Sequence, residues 1–168
     1  MVEDLKTLYD YSYWANKKLF DVMSRLTHEQ FTQSVAGSYG SIRNTLVHAM
    51  SAEAGWLERC GGPERGPKLN PADFPTLESV IQKWKQVEAH VREFFANLKD
   101  EDLDRDAEFM DPAGNTRVMS VGELMQHAVI HGIHHRGQVV LLLRMLGQEP
   151  GNIDMLIYDA VKRGVSVR

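Results

Sequence analysis

Apolar positions along the chain fall into long runs at helical spacing. Leu5, Leu8, Ser12, Ala15, Leu19 and Val22 recur every three or four residues, with Tyr9, Tyr13 and Phe20 broadening the stripe, which predicts a first helix. Thr27 and Gln30 have the spacing of a capping box for a short turn, and 36–40 reads as loop. A second helix starts near Ser41, carries Ile42, Leu46, Ala49, Trp56 and Leu57 on one side, and ends at Gly61, Gly62 and Pro63. A polar, Pro-containing connection follows to about Pro75. The third helix is marked by Leu77, Val80, Trp84, Val87, Val91, Phe94 and Leu98, with Thr76 as N-cap.

From Asp100 to Ser120 the helical period breaks, and Glu108–Met110 and Thr116–Val118, around a Pro/Gly turn, predict a small hairpin. Ser120 and Glu123 then form a capping box that opens a fourth helix, running to Leu146 before Gly147 and Pro150. The stretch from Ile153 to Val161 predicts a short C-terminal helix. The expected fold is therefore all-α, a four-helix bundle in a single domain over 1–168. Its connections are longer than those of simple bundles, so they are expected to cross the bundle ends or roof a cavity.

Composition narrows the function. Nineteen Lys and Arg against 23 Asp and Glu leave a formal charge of -4, which speaks against a nucleic-acid partner. No run of residues is long and apolar enough for a membrane span. The single cysteine, Cys60, excludes an internal disulfide, and with no secretory pattern at the start a cytoplasmic location is expected. Nothing nearby supplies a base for Cys60, which reads as inert.

The chemistry concentrates in histidine. Four of the seven, His127, His131, His134 and His135, fall within nine residues of the fourth helix. On a helical wheel the apolar side chains Val121, Leu124, Ala128, Val139, Leu142 and Leu146 define a core direction, with His135 inside that sector and His131 at its edge. An i, i+4 pair of imidazoles on one face is a geometry that binds a first-row metal. His127 and His134 lie farther round and read as flanking groups.

A third ligand must come from another helix. The third offers only His90, outside its apolar stripe. The second offers His48, which points sideways from the bulky stripe but has small neighbours, Ser41, Thr45, Ala52 and Gly55, that would leave room for an ion and a bound molecule. On the fourth helix Gln138 shares the histidine face, as a donor to a ligand or to nearby backbone. Arg136 turns away from it, toward solvent or an acid. Trp56 and Trp84 read as core, and His28 and His90 carry no role.

The residues Tyr13, Trp14, Ala15 and Asn16, then Leu46, Val47 and His48 followed by Trp56, then His131–Gln138 with its H-x-x-H-H-R-G-Q pattern, resemble the DinB-like superfamily, which includes bacillithiol and mycothiol S-transferases. The likeness continues through Leu143–Gly147, Pro150, Ile153, Asp154 and Tyr158. It implies an up-down-down-up bundle, commonly a homodimer, in which His48, His131 and His135 bind one divalent ion, usually zinc or nickel. A second apolar strip on the fourth helix (Val129, Ile133, Val140, Leu143) needs cover from the C-terminal segment or a second subunit.

Three imidazoles leave a coordination position free, as in catalytic metal sites. Glu53 and Glu123 both point away from the histidine directions of their helices, so no general base for hydrolysis is evident. The expected activity is thus metal-assisted transfer of a low-molecular-weight thiol, with no catalytic side chain identified. A stress- or damage-induced metal-binding protein without turnover and a metal-dependent hydrolase are the competing readings.

Overall fold

The computed structural model describes residues 1–36, 38–111 and 113–166, so Gly37 of the expected loop, Pro112 of the expected turn and the last two residues lie outside it. Four long helices dominate: α1 (Val2–Met23), α3 (Ile42–Arg59), α4 (Leu77–Asn97) and α5 (Val121–Met145). Short helices α2 (His28–Thr32) and α6 (Met155–Lys162) and the antiparallel strands β1 (Asp106–Met110) and β2 (Thr116–Ser120) complete the chain. The starts are set by side chains that satisfy orphan backbone N–H groups. Thr27, Thr76 and Ser120 each close a reciprocal capping box, and Ser41 accepts from the Asn44 N–H. Such caps are worth about 1 kcal/mol each.

Contacts between helices fix their directions. Asp10 pairs with Arg92 and Phe20 packs edge-on against Trp84, so α1 and α4 are antiparallel. Tyr9 donates to the Met125 carbonyl and Asn16 accepts from Arg136, so α1 and α5 are parallel. His48 meets His131 while Cys60 lies against Val121, so α3 opposes α5. The bundle is therefore up-down-down-up. Neighbours around it are α1–α5, α5–α3, α3–α4 and α4–α1. Successive long helices α1 and α3 occupy diagonal corners, as do α4 and α5, which is why those connections are long.

The core is filled by Leu19, Met23, Val47, Met50, Val80, Val91, Leu124, Met125 and Leu143, all almost completely buried. Truncating one of the leucines to alanine costs about 2–5 kcal/mol. On α4 the buried face departs from the strict repeat: Phe95, not Phe94, follows Val91 into the core and packs edge-on against Tyr9 at 5.0 Å. A helix with 3.6 residues per turn drifts away from a 3.5-residue pattern by its last turn.

The expected hairpin is present, with Ala107 opposite Met119 and Asp106 opposite Ser120. Its second strand ends on the residue that caps α5. A 3₁₀ turn, Asp100–Asp104, packs beneath; a Cβ on Gly122 would stand 3.2 Å from the Leu103 carbonyl oxygen.

The second apolar strip of α5 divides. Val129 and Leu143 are buried within the chain itself and Val140 is half-buried, whereas Ile133 stays 41% exposed. Helix α6 packs on α1 through Tyr158, whose ring lies against Trp14 and Tyr11. No helix among the described residues is long and apolar enough to cross a membrane.

Candidate metal centre

Antiparallel packing of α3 on α5 brings His48 opposite His131, and the i, i+4 spacing places His135 one turn further along the same face. His48 Nε2 lies 3.2 Å from His131 Nε2, which lies 3.1 Å from His135 Nε2. All three ligand atoms fall within 4.8 Å of one another. Two imidazoles bound to one ion at the usual Zn–N length of about 2.0–2.1 Å have nitrogens roughly 3.0–3.4 Å apart. The two close contacts have that span, and the outer pair, His48 and His135, within 4.8 Å, would have to draw together to share one ion, so the donor set suits a divalent ion with a small closing of the outer rings.

The protonation pattern favours the same conclusion. Gln138 Oε1 lies 2.7 Å from His135 Nδ1, and a carbonyl oxygen only accepts, so the proton sits on Nδ1 and Nε2 presents a lone pair to the cluster. His131 Nε2 has at most one proton, which can point along only one of its two contacts. A cation bound there would satisfy all three lone pairs at once. Burial, reinforced by the neighbouring imidazoles, pushes His48 and His131 down to about 4; Lys68 adds to the effect on His48. His135 is also lowered, by burial, against the opposing effect of the hydrogen bond it donates to Gln138. His48 and His131 are therefore neutral, as ligands must be, well below neutral pH, and the shift of His135 is in the same direction.

A loop braces the centre. Ser38 takes a left-handed conformation (φ 48°), followed by Gly40 (φ 84°), and the turn is closed by the Val35 N–H on the Gly40 carbonyl at 2.7 Å. A non-glycine residue there costs roughly 1–2 kcal/mol. The Ser38 hydroxyl offsets this through contacts with Gln138 Oε1 (2.8 Å) and Thr45 Oγ1 (3.0 Å). The turn delivers Tyr39 flat onto His48, with ring centroids 3.8 Å apart at 17°, and edge-on to His135. The sequence gives only a loop signal here, and nothing in it singles out Tyr39.

Other expectations need correction. Gly55 and Thr45 do not leave open space beside His48: the position of a Gly55 Cβ is 2.8 Å from an Arg65 guanidinium nitrogen, and the Thr45 hydroxyl bonds the Ser41 carbonyl. Arg136 does turn away from the histidines, yet it is buried rather than solvent-facing and its partners, Ser12 and Asn16, are neutral. Trp84 is core, but Trp56 is only half-buried, edge-on to the exposed His127 at 4.7 Å and beneath Arg59. His134 is exposed and accepts from Gln138 Nε2.

Glu53 is a group that wheel reasoning leaves without a role. Tyr13 donates to one of its oxygens at 2.6 Å and the Trp84 indole to the other at 2.8 Å, tying α1, α3 and α4 together. Burial raises its pKa against the lowering pull of those two hydrogen bonds. Glu123 is likewise engaged, in its cap with Ser120. Cys60 is buried, which pushes its thiol up to about 12 and makes it a poor nucleophile.

A helical bundle with three imidazoles converging from two antiparallel helices is the class that fold and site define. The sequence profile of the DinB family matches residues 1–164, and the chain belongs to that family. It is 26% identical over 160 residues to Protein DinB of Bacillus subtilis (strain 168), covering 90% of this chain and 91% of that protein. A second protein of that strain, the uncharacterized protein YizA, is 24% identical over 143 residues, 84% of this chain and 87% of that one. Among solved structures, a DinB-like protein from Bacillus cereus ATCC 10987 superposes with a TM-score of 0.73 at 22% identity, over 89% of this chain and 95% of that one. A conserved protein from Enterococcus faecalis gives 0.57 at 12% identity, over 83% and 94%. Both show the shared fold.

Proposed function

We propose that His48, His131 and His135 hold one divalent ion, zinc or nickel, and that the centre transfers a low-molecular-weight thiol to an electrophile in the cytoplasm. The observation that carries the reading is the convergence of the three imidazoles, with Nε2–Nε2 separations of 3.2 and 3.1 Å about His131 and all three ligand atoms within 4.8 Å. His48, His131 and His135 would hold the ion, which would supply Lewis acidity that lowers the pKa of a thiol toward neutral pH. In the transfer the thiol loses its proton to solvent, its sulfur forms a bond to the electrophilic carbon, and the leaving group departs with the electron pair of the broken bond.

Thiol transfer is favoured over hydrolysis because the three carboxylates on α3 and α5 are engaged away from the histidines: Glu53 by Tyr13 and Trp84, Glu58 by Arg65, Glu123 by Ser120. None is poised to take a proton from water, whereas an acidified thiol needs no such base. The side chains about the centre have positioning tasks. Gln138 holds the tautomer of His135, and Tyr39 holds the plane of His48. Exposed Ile130, Leu141 and Met145 on α5 support a homodimer, which sedimentation velocity tests directly.

The test combines metal-loaded protein, a panel of small thiols and monobromobimane. At least one thiol reacts faster than in buffer with free metal, and the gain disappears in His131→Ala. If no thiol reacts faster than the blank while the protein holds its ion, the centre binds metal without turnover.

A further inference from the structure

A second site stands apart from the histidines. We propose that the cavity between α1, the C-terminal half of α5 and the segment leading into α6 binds a small zwitterion of the α-amino acid type, its carboxylate on Arg136 and its amine toward Glu149 and Asp154. The cavity is open to solvent and has a volume of about 530 Å³, within the range of small-molecule sites.

Arg136 lines it and is only 6% exposed. One terminal nitrogen donates to Ser12 Oγ at 3.0 Å and the other to Asn16 Oδ1 at 3.2 Å, while the buried Nε meets no acceptor. Both partners are neutral, and among the described residues no carboxylate forms an ion pair with this guanidinium. Glu53 influences it electrostatically, but the Glu53 oxygens are committed to Tyr13 and Trp84. Nε is sealed from the cavity, but Ser12 and Asn16 take only one N–H from each terminal nitrogen, and a buried cation with the second N–H of each unused is costly unless an anion completes its shell. The planar edge of a guanidinium matches the two oxygens of a carboxylate.

The rim decides what kind of anion. Arg144 adds a second positive charge, while Glu149 and Asp154 bring two negative ones to the same cavity. A purely anionic ligand is repelled by the acids and a pure amine by the arginines. A molecule with both charges on neighbouring atoms meets both pairs. The Arg136 guanidinium carbon stands 5.5 Å from the centroid of the Tyr11 ring, which also lines the cavity. Gly137 forms part of the wall, and a Cβ there would meet no atom within 4 Å, so a larger side chain projects into open space.

Isothermal titration of the full chain, with and without EDTA and at constant ionic strength, tests the assignment with a panel of α-amino acids, acetate, phosphate and ethanolamine. The expected result is saturable binding of at least one amino acid, one per chain, at least tenfold tighter than acetate, phosphate or ethanolamine and unchanged by EDTA. Arg136→Lys weakens it tenfold or more, and Gly137→Leu abolishes it while leaving the circular dichroism spectrum and melting curve intact. Should Arg136→Lys fail to fold, Gly137→Leu and the rim variant Arg144→Met carry the test. The proposal is overturned if no amino acid binds saturably or if Gly137→Leu binds as wild type. It is equally overturned if acetate or phosphate binds as tightly as the amino acid, or if EDTA removes binding and so places the ligand at the histidines.

Discussion

Gln138 Oε1 accepts from His135 Nδ1 at 2.7 Å, and that one contact decides which nitrogen of His135 faces the other two imidazoles. The same oxygen accepts from Ser38, so a residue on α5 and a strained turn beside α3 are fastened at a single atom. Partners of this kind typically alter metal affinity ten- to a hundredfold. Gln138→Leu should therefore weaken ion binding by about that factor without changing its stoichiometry. Competition against a chromophoric chelator reads the difference, and an unchanged affinity would show that the tautomer is set by some other group.

Glu53 holds α1, α3 and α4 through Tyr13 and Trp84 and takes no part in the histidine cluster. Its removal leaves a phenol and an indole without their acceptor, at about 1–3 kcal/mol for each group that stays shielded from water. Glu53→Ala should lower the stability to urea by about 3 kcal/mol and leave the metal content at one ion per chain. A loss of metal with stability preserved would place Glu53 in the site and refute the separation.

Without metal, stability should depend on pH through His48 and His131. Both are pushed down to about 4 from an ordinary 6.5, so between those values the unfolded chain binds more protons than the folded one. The contribution is fully present above about pH 6.5 and is lost as the pH falls toward 4. Both rings keep solvent contact, which makes the loss smaller than two fully buried groups would give. Proton NMR of the EDTA-treated protein should show these imidazoles titrating near pH 4. Midpoints near 6.5 would contradict the packing described for them.

Much of the architecture is legible from spacing because each long helix buries one stripe and its caps are local. Thr76, Ser120 and Ser41 announce starts that the structure keeps, and the break in period before Ser120 marks the hairpin. The convergence of His131 and His135 follows from helical geometry alone, and His48 from the resemblance to a family. What spacing could not give depends on which helices meet. Arg136 reads as outward until α1 is known to lie beside it, offering Ser12 and Asn16. Phe95 replaces Phe94 only once the drift of a straight helix is set against Tyr9. Tyr39 reaches His48 by way of a left-handed backbone at Ser38, for which the sequence offers no side-chain signature.

The most direct measurement is the metal content of wild type and five alanine variants, each freed of metal and dialysed against one defined ion, zinc or nickel. The account predicts one equivalent for wild type, His127→Ala and His134→Ala, and essentially none for His48→Ala, His131→Ala and His135→Ala. Full loading of those last three, or equal loss in all five, would contradict it.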